Sequence, residues 1–329
     1  MRSLELTSPE EIARSRRALV GAMLALMALG LVMVWSAMAV RQVQRVGEAG
    51  VLAPLSGHLL KVLMALVGFL IAQRVGPRQI FAIAGPAWVA GIVLLLALLV
   101  LGVERNGSRR WFDMGGISLQ PSEFARLATI LLIGAWMAVA GERERELKHG
   151  VLMPFALAAL PAALVLVEPD FGSSVYLLLM AVVVLWVGGA RSRHLLGVFL
   201  PTLAVTFASA WIFLAHFRVR ILNFLQPGVD YQVQQGLSAL GSGGLFGVGL
   251  GNGVGKWGFL PEAEDDFLFA VVGEELGLIG AGLVILLYAI FLWHGLKLLL
   301  GLRSRFSLVV GTGLLLQVVV QAVLNIAVV

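Results

Sequence analysis

Long runs of apolar residues recur along the whole chain and set its predicted architecture. Most runs come close to the ~20 residues that a helix needs to cross about 30 Å of hydrocarbon, which argues against the short alternating strands of a β-barrel. The pattern predicts an all-α fold, a polytopic transmembrane helical bundle that forms a single membrane domain over residues 1–329. Nine spans are predicted, at residues 18–40, 56–73, 79–102, 121–140, 150–168, 171–189, 194–215, 266–296 and 306–329.

Composition supports an integral membrane protein. Hydrophobic residues make up 59% of the 329 positions, with a mean hydropathy of +0.94, whereas soluble domains contain roughly 45 to 50% apolar residues. The absence of cysteine excludes disulfides, iron–sulfur clusters and thiol nucleophiles. The first apolar run is longer than the core of a signal peptide, so we expect an uncleaved span.

The basic residues predict the orientation of the chain. With a cytoplasmic N-terminus, fourteen of the 24 Lys and Arg residues fall on the inner side, as the positive-inside rule expects. The net charge of +5 is therefore attributed to topology, and no nucleic-acid partner is predicted. Two sizeable connections, at about 103–120 and 216–266, lie outside. We expect a multi-pass protein of the cytoplasmic (inner) membrane whose active site is extracytoplasmic.

The first outer connection carries arginines where the charge rule expects few. Arg109 and Arg110 precede Trp111. An Arg side chain binds phosphate through a planar, permanently charged fork, and a Trp ring suits the headgroup interface. The group is either a phosphate-binding site or an interfacial anchor.

The start of the fourth span contains an intramembrane charge. Gln120, Pro121 and Glu123 have the pattern of a helix N-terminus, and Arg126 lies one turn further in. An unpaired Arg there costs at least ~2.5 to 3.5 kcal/mol. Because the i,i+3 spacing lets opposite charges meet, we predict a pair between Glu123 and Arg126 that faces the bundle interior, with either a structural or a catalytic role.

A second acidic group, Glu168 and Asp170, flanks Pro169 in a tight outer turn between spans five and six. These acids fit a solvated turn and a functional site equally well.

Ten glycines lie between Gly236 and Gly258. Glycine costs about 1 kcal/mol per residue in a helix relative to alanine, so a flexible, re-entrant loop is predicted. A nucleotide-binding loop is excluded, because Leu250 and Trp257 occupy positions that a Walker motif gives to Gly and to Ser or Thr. Lys256 is either a point charge for an outward-facing phosphate or a snorkelling lysine.

An acidic cluster precedes the eighth span. Glu264, Asp265 and Asp266 stand together just before a long apolar helix. Such carboxylates serve as a general base, hold a divalent cation (Mg or Mn) through oxygen ligands, or form a solvated loop. Glu274 and Glu275 lie two turns further on, and we expect them to line an outward-opening cavity.

These residues together resemble the SEDS family of polytopic membrane proteins, FtsW, RodA and SpoVE. The resemblance runs nearly end to end. It rests on RRW at 109–111, QPSEFAR at 120–126, EPDFGS at 168–173, YQVQQ at 231–235, GSGGLFGVGLG at 241–251 and LPEAEDDFLFAVVGEELG at 260–277. KWGFLPEA following GVGLG without an insertion is more similar to FtsW than to RodA.

The resemblance implies a peptidoglycan glycosyltransferase that polymerises lipid II at the outer membrane face, for septal synthesis in an FtsW-like member. It implies a class B penicillin-binding protein (transpeptidase) and other division or elongation membrane proteins as partners. By motif position, it implies Asp266 as the catalytic residue, Asp170 as a substrate ligand, and Glu123 and Arg126 as a supporting pair.

The chain also departs from the family pattern. Glu264 and Asp265 replace the usual His-Thr, Glu168 replaces Gln, and Arg126 replaces Lys. Nine spans are visible where the family has ten.

Other functions remain open from the residues alone. A lipid II flippase would use the same outward cavity and charges, although neither an energy-coupling motif nor an inverted repeat is evident. An elongation-type polymerase and a non-catalytic scaffold for the penicillin-binding protein are further alternatives.

Overall fold

The computed structural model describes residues 8–46, 53–105, 108–113, 118–224, 231–257 and 266–328. The chain forms two compact units. The first unit comprises Met1–Arg74, Asn223–Gly301 and Val318–Val329, and the second comprises Val75–Leu222 and Leu302–Gln317.

The nine predicted spans correspond to nine apolar helices in the described residues. They are α1 (Pro9–Val46), α2 (Ala53–Ala72), α3 (Pro77–Leu101), α4 (Pro121–Ala140), α5 (Met153–Val167), α6 (Phe171–Val187), α7 (Ser192–Phe213), α10 (Leu268–Leu300) and α11 (Arg305–Ala327). Eight of the spans are long and apolar enough to cross a membrane, and α6, with 17 residues, is slightly shorter. The all-α membrane fold is therefore confirmed.

Short elements in the connections at 103–120 and 216–266 were not predicted. Strands β1 (Val103–Arg105), β2 (Ser108–Asp113) and β3 (Ser118–Leu119) form an antiparallel sheet in the order β1-β2-β3. Two further helices are α8 (Ala215–Phe224) and α9 (Tyr231–Ser242).

The loop expected at 216–266 is helical over Tyr231–Ser242. Only Gly236 and Gly241 of the ten glycines fall within α9, so this stretch retains enough good helix formers to fold as a helix. The other glycines follow it.

The first unit has its core where α1, α9 and α10 meet. Met33, Ala239, Ala270 and Val271 are buried together there. Helix α10 bends at Gly277, which has φ 67° and ψ −170°. A Cβ at this position would lie 2.5 Å from the Leu245 carbonyl oxygen, so the bend depends on glycine. It brings the segment after α9 against α10.

The second unit is built on close packing of α3 against α4. A Cβ on Gly91 would lie 3.1 Å from the Cα of Ala125, so glycine permits the two helices to approach closely. Leu95 and Ala125 are buried with Val165 of α5 in this contact. The packing fixes the N-terminal end of α4, where Arg126 lies.

Candidate active site

Asp266 lies in the turn directly before α10 and its side chain is exposed. It lies at one end of a mainly apolar cavity of about 160 Å³, here called the Asp266 groove. The groove is lined by residues of α1, α10 and the end of α11, among them Leu26, Met33, Val272, Tyr288 and Asn325. The structure thus combines an accessible carboxylate with a surface suited to an apolar chain.

The glycine-rich segment after α9 is held by the carboxylates of Glu274 and Glu275. Glu274 Oε1 accepts hydrogen bonds from the backbone N–H of Val254 at 2.7 Å and of Gly255 at 3.1 Å. Glu275 Oε2 accepts one from the N–H of Gly251 at 3.0 Å. These contacts satisfy buried carboxylates with backbone donors, which is how charge is tolerated away from water.

Glycine is required in this segment by its close approach to α10. The backbone of Gly247 has φ +80°, and a Cβ there would lie 2.2 Å from the Glu275 carbonyl oxygen. A Cβ on Gly253 would lie 2.9 Å from Glu274 Oε2. The glycines therefore allow the backbone to wrap tightly around the two glutamates.

Lys256 forms a buried charge cluster with Glu275 and Ser36. Its Nζ donates to Glu275 Oε1 at 2.5 Å and to Ser36 Oγ at 2.9 Å, and Ser36 Oγ donates in turn to the Glu275 carboxylate. The exposed fraction is 3% for Lys256 and 1% for Glu275. Lys256 neutralises an internal carboxylate and joins the glycine-rich segment to α1.

Two sequence-based expectations are corrected by this arrangement. Glu274 and Glu275 were expected to line an outward-opening cavity, but they are buried and bind the backbone of the glycine-rich segment. Lys256 was considered as a cation for an outward-facing phosphate, and its buried position against Glu275 does not support that contact. Glu274, Glu275 and Lys256 therefore hold the glycine-rich segment in place.

In the second unit, Arg110 contacts the turn between α5 and α6. Its Nη2 donates to the Pro169 carbonyl oxygen at 2.5 Å, and its Nε lies 3.8 Å from Asp170 Oδ2. Asp170 caps α6 by accepting hydrogen bonds from the N–H of Ser173 at 3.1 Å and from its hydroxyl at 2.8 Å. Arg109 is exposed on the adjacent strand, and Trp111 is half-buried. The structure thus brings together the predicted Arg110 and Asp170.

Glu168 is buried beside this group, although the sequence fitted a solvated turn and a functional site equally well. Its pKa is raised to about 8, chiefly by burial and also by the neighbouring Asp170, against the opposing effect of Arg110. Its Oε1 has no hydrogen-bond partner among the described residues. The only signal in the sequence was the acid itself, at a position where the family pattern has glutamine. A protonated Glu168 resembles that amide in shape and in lacking charge.

Replacement of Glu168 by Gln is expected to change how stability depends on pH. A carboxyl whose folded pKa lies near 8 instead of 4.5 loses its stabilising contribution as the pH rises through that interval. At pH 9 the Glu168→Gln protein should therefore have a Tm a few degrees above that of wild type, which corresponds to about 1–2 kcal/mol in the free energy of unfolding. At pH 5 the gain should be much smaller. Thermal unfolding at both pH values tests this, with the exposed Glu142→Gln as control. Parallel Tm profiles for wild type and Glu168→Gln would contradict it.

The pair predicted at the start of the fourth span is present. Gln120 precedes the first helical residue of α4, and the Arg126 guanidinium donates to Glu123 Oε2. Arg126 is buried, with its Cζ 4.6 Å from the centre of the Tyr176 ring, while Glu123 is partly exposed. The buried positive charge of Arg126 is thus compensated both by the Glu123 carboxylate and by the face of the Tyr176 ring.

A divalent-cation site cannot be assembled from the described residues. Of the candidate ligands, Asp266 is described, whereas Glu264 and Asp265 lie outside the described residues. The described part of the chain holds no group of three or more acidic or histidine side chains suited to a metal.

Comparison with known proteins places these features in a family. Residues 16–329 match the pattern of the FtsW/RodA/SpoVE family of cell cycle proteins. The probable peptidoglycan glycosyltransferase FtsW of Mycobacterium tuberculosis is 40% identical over 264 residues, which cover 77% of this chain and 49% of that protein. The protein of the same name in Coxiella burnetii is 38% identical over 322 residues, or 93% and 84% of the two chains.

A solved structure agrees with the sequence relatives. A chain from a peptidoglycan synthase complex that coordinates polymerization and crosslinking is 26% identical and superposes with a TM-score of 0.74, over 94% of this chain and 85% of that one. The chain spans about half the length of the first curated relatives that it matches. The resemblance seen in the sequence is confirmed, and the chain belongs to the SEDS family of FtsW, RodA and SpoVE proteins.

Proposed function

We propose that the chain is a peptidoglycan glycosyltransferase that polymerises lipid II into glycan strands. The observation that carries the proposal is Asp266, an exposed carboxylate at the end of an apolar groove. Lipid II combines a sugar that must react with an isoprenoid chain that must stay in an apolar phase. The apolar groove can hold the isoprenoid chain, and the adjacent carboxylate can react with the sugar.

The proposed chemistry is an inverting transfer with Asp266 as general base. The Asp266 carboxylate accepts the proton of a sugar hydroxyl of the incoming lipid II, and the hydroxyl oxygen attacks the anomeric carbon of the growing strand. The bond from that carbon to undecaprenyl pyrophosphate breaks as the new glycosidic bond forms. The pyrophosphate leaves with both electrons of the broken bond.

The leaving group is strongly anionic and needs positive charge nearby. We carry Arg109 and Arg110 over from the sequence as candidates, because a guanidinium can bind phosphate in a bidentate manner. The Arg110 side chain is 33% exposed, so its guanidinium is accessible to a ligand beside its contacts with Pro169 and Asp170. A divalent cation at Glu264, Asp265 and Asp266 stays a further proposal, and it would supply additional charge neutralisation when bound.

We place the site on the extracytoplasmic face of the cytoplasmic membrane, with the N-terminus inside. The excess of Lys and Arg on the opposite side supports this orientation. We also propose a class B penicillin-binding protein as partner, supported by the likeness to a chain of a peptidoglycan synthase complex. The FtsW relatives favour a role in division over one in elongation.

A polymerisation assay in detergent tests the proposed function. The purified chain with its penicillin-binding partner is incubated with labelled lipid II, and the products are separated on a gel. We expect glycan ladders, since detergent leaves no bilayer for a transporter to act across. Absence of ladders, together with movement of lipid II across proteoliposomes, would establish the flippase alternative. Unchanged ladders after chelation of divalent cations would exclude the cation.

A further inference from the structure

A second cavity, unrelated to Asp266, lies in the second unit between α3 and α4. It has a volume of about 570 Å³ and is here called the α3–α4 groove. Its walls are apolar, and Arg143 and His149 of the α4–α5 connection form one end. We propose that this groove binds an anionic phospholipid, with an acyl chain between the helices and the phosphate at Arg143.

The α3–α4 groove is open at the protein surface and has room for an acyl chain. Val139 and Phe81 on its walls are 72% and 41% exposed. Gly85 of α3 also lines it, and apart from the neighbouring backbone of α3 nothing lies within 4 Å of the position that a Cβ would take there. The apolar face is therefore both accessible and unfilled by side chains of the described residues.

The charges at the end of the groove favour an anionic ligand. Two acids of the connection are already engaged, since Glu144 pairs with Arg305 and Glu146 binds His149 at 2.8 Å. Arg143 is exposed and has no acidic partner among the described residues. A guanidinium next to an apolar groove matches the phosphate and the acyl chain of one molecule.

The rim of the groove is fixed by a specific contact. The indole N–H of Trp136 on α4 donates to the His149 carbonyl oxygen at 2.9 Å. This bond joins the groove wall to the connection and keeps the cationic end near the apolar walls. The groove lining contains Arg143 and His149 but no carboxylate.

The proposed ligand is a membrane phospholipid, because basic pockets between transmembrane helices are suited to acidic lipid headgroups. If the orientation proposed above holds, the groove opens to the cytoplasmic leaflet, where anionic lipids supply the phosphate. The inference does not depend on the polymerase activity, because it uses no residue of the proposed active site.

Lipid retention by the purified chain tests the inference. The protein is transferred to detergent with equal amounts of phosphatidylglycerol and phosphatidylcholine of the same acyl composition, and bound lipids are counted by native mass spectrometry. Wild type should retain phosphatidylglycerol preferentially. Arg143→Ala should lower this retention about fivefold without changing that of phosphatidylcholine. Gly85→Leu, which fills the groove, should lower retention of both lipids.

The matched control is Arg145→Ala, an exposed arginine of the same connection that does not line the groove. Equal losses in Arg143→Ala and Arg145→Ala, or equal retention of the two lipids by wild type, would overturn the proposal. A photo-crosslinker at Val139 that captures a polypeptide in place of lipid would also overturn it. Because Arg143 is exposed, the test stands even if Gly85→Leu does not fold.

Discussion

Replacement of Asp266 by Asn is expected to reduce lipid II polymerisation by about 100-fold or more. The change removes the proton acceptor and keeps the shape of the side chain, and a positioned general base contributes about 10²- to 10⁴-fold to a rate. Since Asp266 is exposed and lies outside α10, its replacement should leave the fold unchanged. The measurement is the initial rate of glycan-ladder formation with the penicillin-binding partner present.

Two controls make this result specific to the carboxylate. Glu142→Gln neutralises an exposed acid on the connection between α4 and α5 and should polymerise at the wild-type rate. The Tm of Asp266→Asn should match that of wild type, and the variant should still co-purify with the partner. If Asp266→Asn polymerised lipid II at the wild-type rate, Asp266 would not be the base.

Features that depend on neighbouring residues could be predicted from the sequence. The nine apolar helices follow from contiguous runs of apolar residues, whose length alone decides whether they can span a membrane. The pair of Glu123 and Arg126 was also predictable, because residues three apart share one helix face and an intramembrane Arg requires compensation.

Features that depend on distant contacts could not be predicted. Ser36 and Glu275 are 239 positions apart, and no local pattern indicates that their side chains meet Lys256. The sequence left the role of Lys256 open between two alternatives. Only the packing of α1 against α10 shows that Lys256 neutralises Glu275 and that Ser36 hydrogen-bonds to both.

The small three-stranded sheet was missed for a different reason. Strand β2 reads SRRWFD and lacks a sustained alternation of apolar and polar residues, so its pattern does not distinguish it from an irregular loop. The burial of Glu168 was equally hidden, since a turn of Glu, Pro and Asp is ordinarily solvated. Its raised pKa depends on chain segments packed around that turn.

The buried cluster suggests how the glycine-rich segment is kept in place before Asp266. Lys256 is bound to Glu275 and Ser36, and Glu275 also holds the N–H of Gly251. A buried ion pair makes a protein little more stable than an apolar replacement of both members would. Loss of only one member is costly, because it leaves a buried charge uncompensated. Single and double replacements at Lys256 and Glu275 distinguish the loss of one member from the loss of both.

Lys256→Met is expected to lower the free energy of unfolding by about 3–5 kcal/mol, since the Glu275 carboxylate would stay buried without its cation. Combining it with Glu275→Gln should recover part of this loss, because the amide oxygen can still accept the Gly251 N–H without carrying charge. Lys148→Met, at an exposed lysine, is the matched control and should change stability by less than about 0.5 kcal/mol. Denaturant unfolding in mixed micelles measures all three. A double variant less stable than Lys256→Met alone would show that the cluster does not act as a compensated ion pair.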